Sequence, residues 1–125
     1  MKTVLIVGDN TSVPKALGEL VQRVFIEADR GPTMIVTASS DDEVLRVLNR
    51  DRIDLVMADY SCVDRSYNLI GSLDQGKFPM KKLLVAAEGQ LPKKTPELRA
   101  KGLDAAMRRP VRKDELRTLI QGWFQ

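Results

Sequence analysis

Ile53-Asp54-Leu55-Val56-Met57-Ala58-Asp59 is the stretch of this 125-residue chain that decides its fold. The apolar run within it predicts a strand over residues 53–58 that is buried on both faces, as in the middle of a parallel sheet. An acid directly after such a strand lies at the carboxyl edge of the sheet, where open α/β folds form their ligand crevice. Asp59 is therefore the first candidate functional residue, although an acid at a strand end can also simply cap a turn.

Apolar segments alternate with amphipathic stretches along the rest of the chain. The other predicted strands cover residues 4–7, 34–38, 82–87 and 105–107. The predicted helices begin near Val13, at Ser39 or Ser40, and near Ser66, Thr95 and Lys113, and the third of them ends at Gln75-Gly76. Glu43 is placed to complete a capping box with Ser40. Five strand–helix units predict a doubly wound parallel sheet, because parallel neighbours need helical crossovers.

The composition indicates an ordinary soluble domain and excludes several chemistries. Hydrophobic residues make up 43% and charged residues 30% of the chain, and no apolar run approaches the length of a membrane span. The single cysteine, Cys62, cannot form an internal disulfide, which favours a cytoplasmic location, and we interpret it as an inert thiol rather than a redox sensor. Because the chain has no histidine, histidine-based catalysis and histidine metal sites are excluded.

The net charge of +3 is concentrated in the last third of the chain. This pattern fits a solvated face with cations near helix C-termini better than a nucleic-acid surface, because aromatic residues are sparse and no base-reading motif accompanies the charge. Gly8 is not followed by the glycines of a dinucleotide-binding loop, and a P-loop ending is also missing. A flavin site is disfavoured because Asp9 would repel phosphate.

Three charged residues are expected to meet at one edge of the sheet, because parallel strands all end on the same side. Asp9 follows the first strand, Asp59 the third and Arg109 the fifth. Asp9 could instead cap the first helix, as could Asn10 or Ser12. Arg109 fits either a structural ion pair or a phosphate ligand.

Three segments, in this order, resemble parts of the receiver domains of two-component response regulators. Residues 4–10 resemble the first strand and acidic pair of that family, residues 54–59 the strand that ends in the phosphoacceptor, and residues 102–111 the segment that holds a Lys-Pro pair. The resemblance covers nearly the full length. It implies a flavodoxin-like receiver fold, a five-stranded parallel sheet of order 2-1-3-4-5, formed by one domain over residues 1–125 with no output domain.

The resemblance also implies a site and partners. Asp59 becomes the candidate phosphoacceptor and Arg109 stands in the usual lysine position, while Asp9, Asp59 and the backbone carbonyl of Ser61 would form a weak Mg²⁺ site. The chain would not be an enzyme beyond self-phosphorylation on Asp59 from a phosphodonor and slow autodephosphorylation. A histidine kinase or phosphotransfer protein would act upstream.

Downstream contacts in the family involve the fourth helix, fifth strand and fifth helix. Here that surface would be basic and would suit an acidic protein partner or a homodimer, with nucleic acid a less favoured ligand. It would include Arg99, Lys101, Ala106, Arg108, Arg112, Lys113 and Arg117.

Several positions depart from the family pattern. Gly8 stands where the first of two adjacent acids is usual, Ala86 where a hydroxyl reports phosphorylation, and Ala106 where an aromatic side chain switches. If the lost acid costs a net ~1.5 to 3 kcal/mol, Mg²⁺ binding weakens about ten- to a hundredfold. Arg109 keeps the lysine's charge but is long enough to pair permanently with Asp59 and to occupy the metal's place. Two hypotheses follow: a divergent receiver phosphorylated on Asp59, and a pseudo-receiver that acts as a binding module independently of phosphorylation.

Overall fold

The computed structural model describes residues 1–9, 12–73, 77–87 and 95–125, with the side chains of residues 12–14 left aside. Two of the predicted features, the cap at Asn10 and the helix end at Gln75-Gly76, lie outside the described residues. The same holds for the side chain of Ser12.

Five strands alternate with five helices in the described chain, as the sequence predicts. In order they are β1 (Lys2–Val7), α1 (Ser12–Glu27), β2 (Thr33–Ala38), α2 (Asp41–Arg50), β3 (Leu55–Ala58), α3 (Val63–Ser72), β4 (Lys81–Ala86), α4 (Thr95–Ala100), β5 (Ala105–Arg108) and α5 (Lys113–Trp123). The largest difference is the start of α3, which was expected near Ser66 and lies at Val63. Cys62 precedes this helix without a side-chain cap, so the usual capping signal is missing from the sequence.

The strands form one parallel sheet in the order β2-β1-β3-β4-β5, which confirms the predicted topology. The strand β3 lies at its centre, and all four of its residues are fully buried. Burial on both faces explains why this strand is a continuous apolar run instead of an alternating one.

Two hydrophobic clusters cover the two faces of the sheet. Alternate residues of β3 contribute to each cluster, because successive side chains of a strand point to opposite faces. Leu55 and Met57 pack with α1 and α5, whereas Val56 and Ala58 pack with α2, α3 and α4. The three charged residues predicted at the carboxyl edge of the sheet, Asp9, Asp59 and Arg109, belong to neither cluster. Among the described residues, no helix is long and apolar enough to cross a membrane.

The start of α2 shows the predicted cap in a modified form. The Ser40 hydroxyl accepts a hydrogen bond from the Glu43 amide at 3.2 Å, which confirms Ser40 as the N-cap. The Glu43 carboxylate, however, accepts hydrogen bonds from the amide and hydroxyl of Ser39, both at 3.2 Å. The reciprocal bond of the capping box therefore falls one residue earlier than predicted.

Replacing the cap by Ser40→Ala is expected to lower the free energy of unfolding by about 1 kcal/mol, because the Glu43 amide loses its partner. Urea denaturation measures this change, and Ser40→Asp, which keeps a capping oxygen, is the matched control. Equal stability of the wild type and Ser40→Ala would show that the cap contributes nothing here.

Candidate functional site

The backbone hydrogen bonds of the sheet continue one residue past three of the strands, and they position the residues of the site. The Asp59 amide donates to the Val7 carbonyl at 2.8 Å, the Gly8 amide to Ala38 at 3.0 Å, and the Arg109 amide to Ala86 at 2.9 Å. These bonds bring Asp9, Asp59 and Arg109 to one edge of the sheet, as the topology predicts.

Arg109 forms an ion pair with Asp59 across 50 residues of sequence. Its Nε donates to Asp59 Oδ1 at 2.7 Å, and its Nη2 donates to the backbone carbonyl of Tyr60 at 2.7 Å. The Asp59 side chain is 4% exposed and that of Arg109 is 33% exposed. The guanidinium fork therefore holds both the buried carboxylate and the carbonyl that follows it.

Burial dominates the electrostatics of Asp59. Desolvation raises the pKa of this carboxyl group above its ordinary value, and the charge of Asp9 raises it further. The hydrogen bond and charge of Arg109 lower the pKa but do not fully offset burial. A buried ion pair of this kind is held at a desolvation cost, and the carboxylate depends on its partner.

Asp9 has two hydrogen-bond partners of its own. The Ser61 amide donates to its Oδ2 at 2.6 Å, and Arg65 Nη1 donates to its Oδ1 at 2.6 Å. Hydrogen bonding from the side chain of Ser61 lowers the pKa of Asp9 most, followed among the lowering effects by the Ser61 amide and the charges of Arg65 and Arg109, while burial opposes them. Asp9 is thus held as a carboxylate against the start of the β3–α3 connection.

Tyr60 connects the parts of the site and was not predicted from the sequence to belong to it. Its side chain is fully buried, its hydroxyl donates to Asp41 Oδ1 at 2.7 Å, and its amide donates to the Ser66 hydroxyl at 3.0 Å. Burial and the bond to Asp41 raise the pKa of this phenol. The Arg65 guanidinium lies 4.0 Å from the centroid of its ring. Tyr60 therefore contacts Arg65 through its ring and Arg109 through its backbone carbonyl.

Arg65 was also missed, for an identifiable reason. It lies in the first turn of α3, whereas the predicted helix start at Ser66 left Arg65 in a loop. A helix start at Val63, soon after the carboxyl end of β3, would have indicated that Arg65 lies at the same edge of the sheet, where it pairs with Asp9.

The donor set does not fit Mg²⁺ in this arrangement. Magnesium needs a near-octahedral set of oxygens, with carboxylates free to face the ion. Here both oxygens of Asp9 accept hydrogen bonds, one of them from Arg65, and Oδ1 of Asp59 accepts one from Arg109. Over the described ranges, no three acidic, cysteine or histidine side chains cluster to hold a metal ion. The part predicted for the Ser61 carbonyl in a weak Mg²⁺ site stays a prediction.

Two positions that the resemblance assigns to the phosphorylation switch carry only methyl groups. Ala86 is buried at the end of β4 and Ala106 is half-buried in β5. Neither side chain can donate a hydrogen bond to a phosphoryl oxygen or move a ring between two rotamers.

Comparison with known proteins relates the chain to receiver domains by fold. No family model and no curated protein matches the sequence. Among solved structures, the chemotaxis protein CheY4 of Vibrio cholerae is 22% identical, covers 98% of both chains and superposes with a TM-score of 0.77. A response regulator receiver domain protein of Clostridium thermocellum is 18% identical over 99% of this chain and 94% of its own, with a TM-score of 0.78.

A CheY-like receiver domain protein of Methanospirillum hungatei is 22% identical over 98% of this chain and 92% of its own, with a TM-score of 0.74. The chain therefore has the fold of response regulator receiver domains, as the resemblance implied.

The opposite pKa shifts of the two acids predict opposite effects of pH. The pKa of Asp59 is raised in the folded state, so the folded protein holds this proton more tightly than the unfolded chain does. The stability that the proton contributes is fully present below the ordinary pKa of 3.8 and is lost as the pH rises through the folded pKa. Asp59→Asn is therefore expected to be more stable than the wild type at pH 7 and to lose this advantage as the pH falls to 4. Denaturant titrations at several pH values measure the difference.

Asp9→Asn is the matched control, with the opposite sign. Its lowered pKa means that Asp9 stabilises the folded state above the ordinary pKa and that this stabilisation is lost as the pH falls through the folded value. The variant should be less stable than the wild type at pH 7. If Asp59→Asn is destabilised at pH 7 as Asp9→Asn is, the pairing with Arg109 outweighs burial.

Proposed function

We propose that this chain is a signalling module of the two-component receiver type whose surface is read by protein partners independently of phosphorylation. The observation that carries the proposal is the ion pair between Arg109 and the buried Asp59, at 2.7 Å. The receiver fold supports the class of protein that we propose. The paired aspartate supports a mode of action that does not depend on phosphorylation.

The ion pair makes Asp59 a poor phosphoacceptor. A carboxylate that attacks phosphorus must be ionised and must present an oxygen to the donor, while cations neutralise the transferring oxygens. Asp59 is almost fully buried, its pKa is raised, and Oδ1 is committed to Arg109. Arginine does not release its proton at any ordinary pH, so Arg109 keeps its charge and competes with a phosphoryl donor for Asp59.

A second candidate function is that of a divergent receiver phosphorylated on Asp59. The position of the carboxylate favours it, because Asp59 still ends the central strand beside Asp9. A guanidinium can also pair with phosphate through a fork of two hydrogen bonds. In that case a histidine kinase or phosphotransfer protein would donate the phosphoryl group.

Incubation with acetyl phosphate and Mg²⁺, followed by intact-mass measurement, separates the two candidates. We expect no gain of mass on Asp59, because its carboxyl group is almost fully buried, its pKa is raised and its Oδ1 is paired with Arg109. Asp59→Asn is the matched control for phosphorylation at other residues, and a receiver domain with a complete acidic pair verifies the reagent. A gain of one phosphoryl mass in the wild type that is absent from Asp59→Asn would overturn the proposal.

The proposed protein contact uses the surface formed by α4, β5 and α5. Arg99, Lys101 and Arg112 are exposed there. Two other cations of this surface have acidic partners, since Lys113 pairs with Glu27 at 2.7 Å and Arg117 with Asp114 at 2.8 Å. The exposed cations suit an acidic protein partner or an acidic face of a second copy, through attraction that speeds association and weakens with salt.

Charge reversal by Arg112→Glu and Arg117→Glu is expected to weaken the capture of protein partners from lysate, because it replaces attraction by repulsion. The matched control reverses two exposed arginines on other helices, Arg23→Glu and Arg46→Glu, at the same change of net charge. Circular dichroism verifies that both variants fold. Unchanged capture by the first variant, or equal loss in both, would place the contact elsewhere.

A further inference from the structure

We infer that Arg65 takes the place of the divalent cation in this site, so that Arg65 and Arg109 are its resident cations and Mg²⁺ is excluded. The inference deepens the proposed function and rests on it, because a site with resident cations has no vacancy for the metal of phosphoryl transfer. It also names Arg65, a residue outside the receiver segments that the sequence resembles, as the one that closes the acidic side of the site.

Arg65 is held in place by more than its charge. Its guanidinium donates to Asp9 Oδ1 at 2.6 Å and stacks on the Tyr60 ring at 4.0 Å, although the side chain remains 48% exposed. An ion pair at the surface is usually weak because two long side chains must be ordered to form it. Here the ring supplies a fixed platform and a cation–π contact, which reduces that cost.

Three hydrogen bonds hold the Tyr60 platform in place. The Tyr60 amide donates to Ser66 and its hydroxyl to Asp41, while its carbonyl accepts from Arg109. Both guanidinium groups therefore meet on one buried residue that immediately follows Asp59. The first turn of α3 presents Arg65 to the ring because Ser66, the next residue, anchors the Tyr60 amide.

The charges of the four groups balance. Asp9 and Asp59 each pair with one guanidinium, so the edge that would otherwise attract a divalent cation carries two positive and two negative charges. An incoming Mg²⁺ would have to displace Arg65 from Asp9 and would also be repelled by Arg109. A guanidinium is planar and permanently charged, so neither arginine leaves by losing a proton.

Titration with Mg²⁺ alone, and with Mn²⁺ as a paramagnetic probe, tests the inference. The readout is the chemical shift and line broadening of the Ser61 and Asp59 amide signals. The wild type should show no saturable site at millimolar Mg²⁺, whereas Arg65→Gln, which removes the charge, should bind at least about tenfold more tightly. Arg65→Lys keeps the charge and should remain closer to the wild type than to Arg65→Gln.

Two further variants make the result decisive. Arg65→Met keeps an unbranched side chain against the Tyr60 ring without a charge, and it should gain Mg²⁺ affinity even if Arg65→Gln is too unstable to measure. Arg46→Gln removes a distant exposed arginine and should change nothing. Saturable binding of Mg²⁺ to the wild type at the affinity of Arg65→Gln would overturn the inference, as would no gain in either neutral variant.

The failure of this inference is distinguishable from the failure of the proposed function. Phosphorylation of wild-type Asp59 by acetyl phosphate without Mg²⁺ would overturn the function and leave the metal titration to decide the role of Arg65. Binding of Mg²⁺ by the wild type with no phosphorylation would overturn the role of Arg65 alone.

Discussion

The constraint on which the site depends is the burial of one carboxylate at the end of the central strand. The sheet places Asp59 between β1 and β4, where little water reaches it, and an unpaired charge there would be costly. The parallel topology also provides a partner for this charge, because β5 ends at the same edge and places Arg109 beside Asp59. The ion pair is thus a consequence of strand order, and it ties the last strand to the central one outside the hydrophobic clusters.

The charged edge is structurally separate from the core that defines the receiver fold. The two hydrophobic clusters are built from alternate residues of the strands and from the inner faces of the helices. The charged residues of the edge, Asp9, Asp59 and Arg109, belong to neither cluster, whereas the Tyr60 ring is part of one of them. This separation is consistent with a close superposition on receiver domains at only 18–22% identity and illustrates why fold alone does not fix function.

The sequence predicts the parts of this structure that follow from periodicity and topology. The strand order, the buried β3 and the meeting of Asp9, Asp59 and Arg109 all follow from where parallel strands end. The roles of Tyr60 and Arg65 do not. Tyr60 reads as one more hydrophobic residue after a strand, and its hydroxyl finds Asp41 only in the folded chain. Arg65 was hidden because α3 begins without a capping side chain, so the predicted helix start at Ser66 left Arg65 in a loop instead of in the first turn of the helix.

A signalling switch needs an element with two arrangements whose balance a ligand or modification can shift. In receiver domains of the usual kind, as the resemblance describes them, a hydroxyl and an aromatic ring provide that element. Here Ala86 and Ala106 provide neither, and the arginines that meet on Tyr60 hold the neighbouring acids in one arrangement. If protein partners bind the module as we propose, the carboxyl edge of the sheet does not receive the signal. Occupancy of the surface by its partner then carries the signal, and the paired edge serves to keep that surface in a single form.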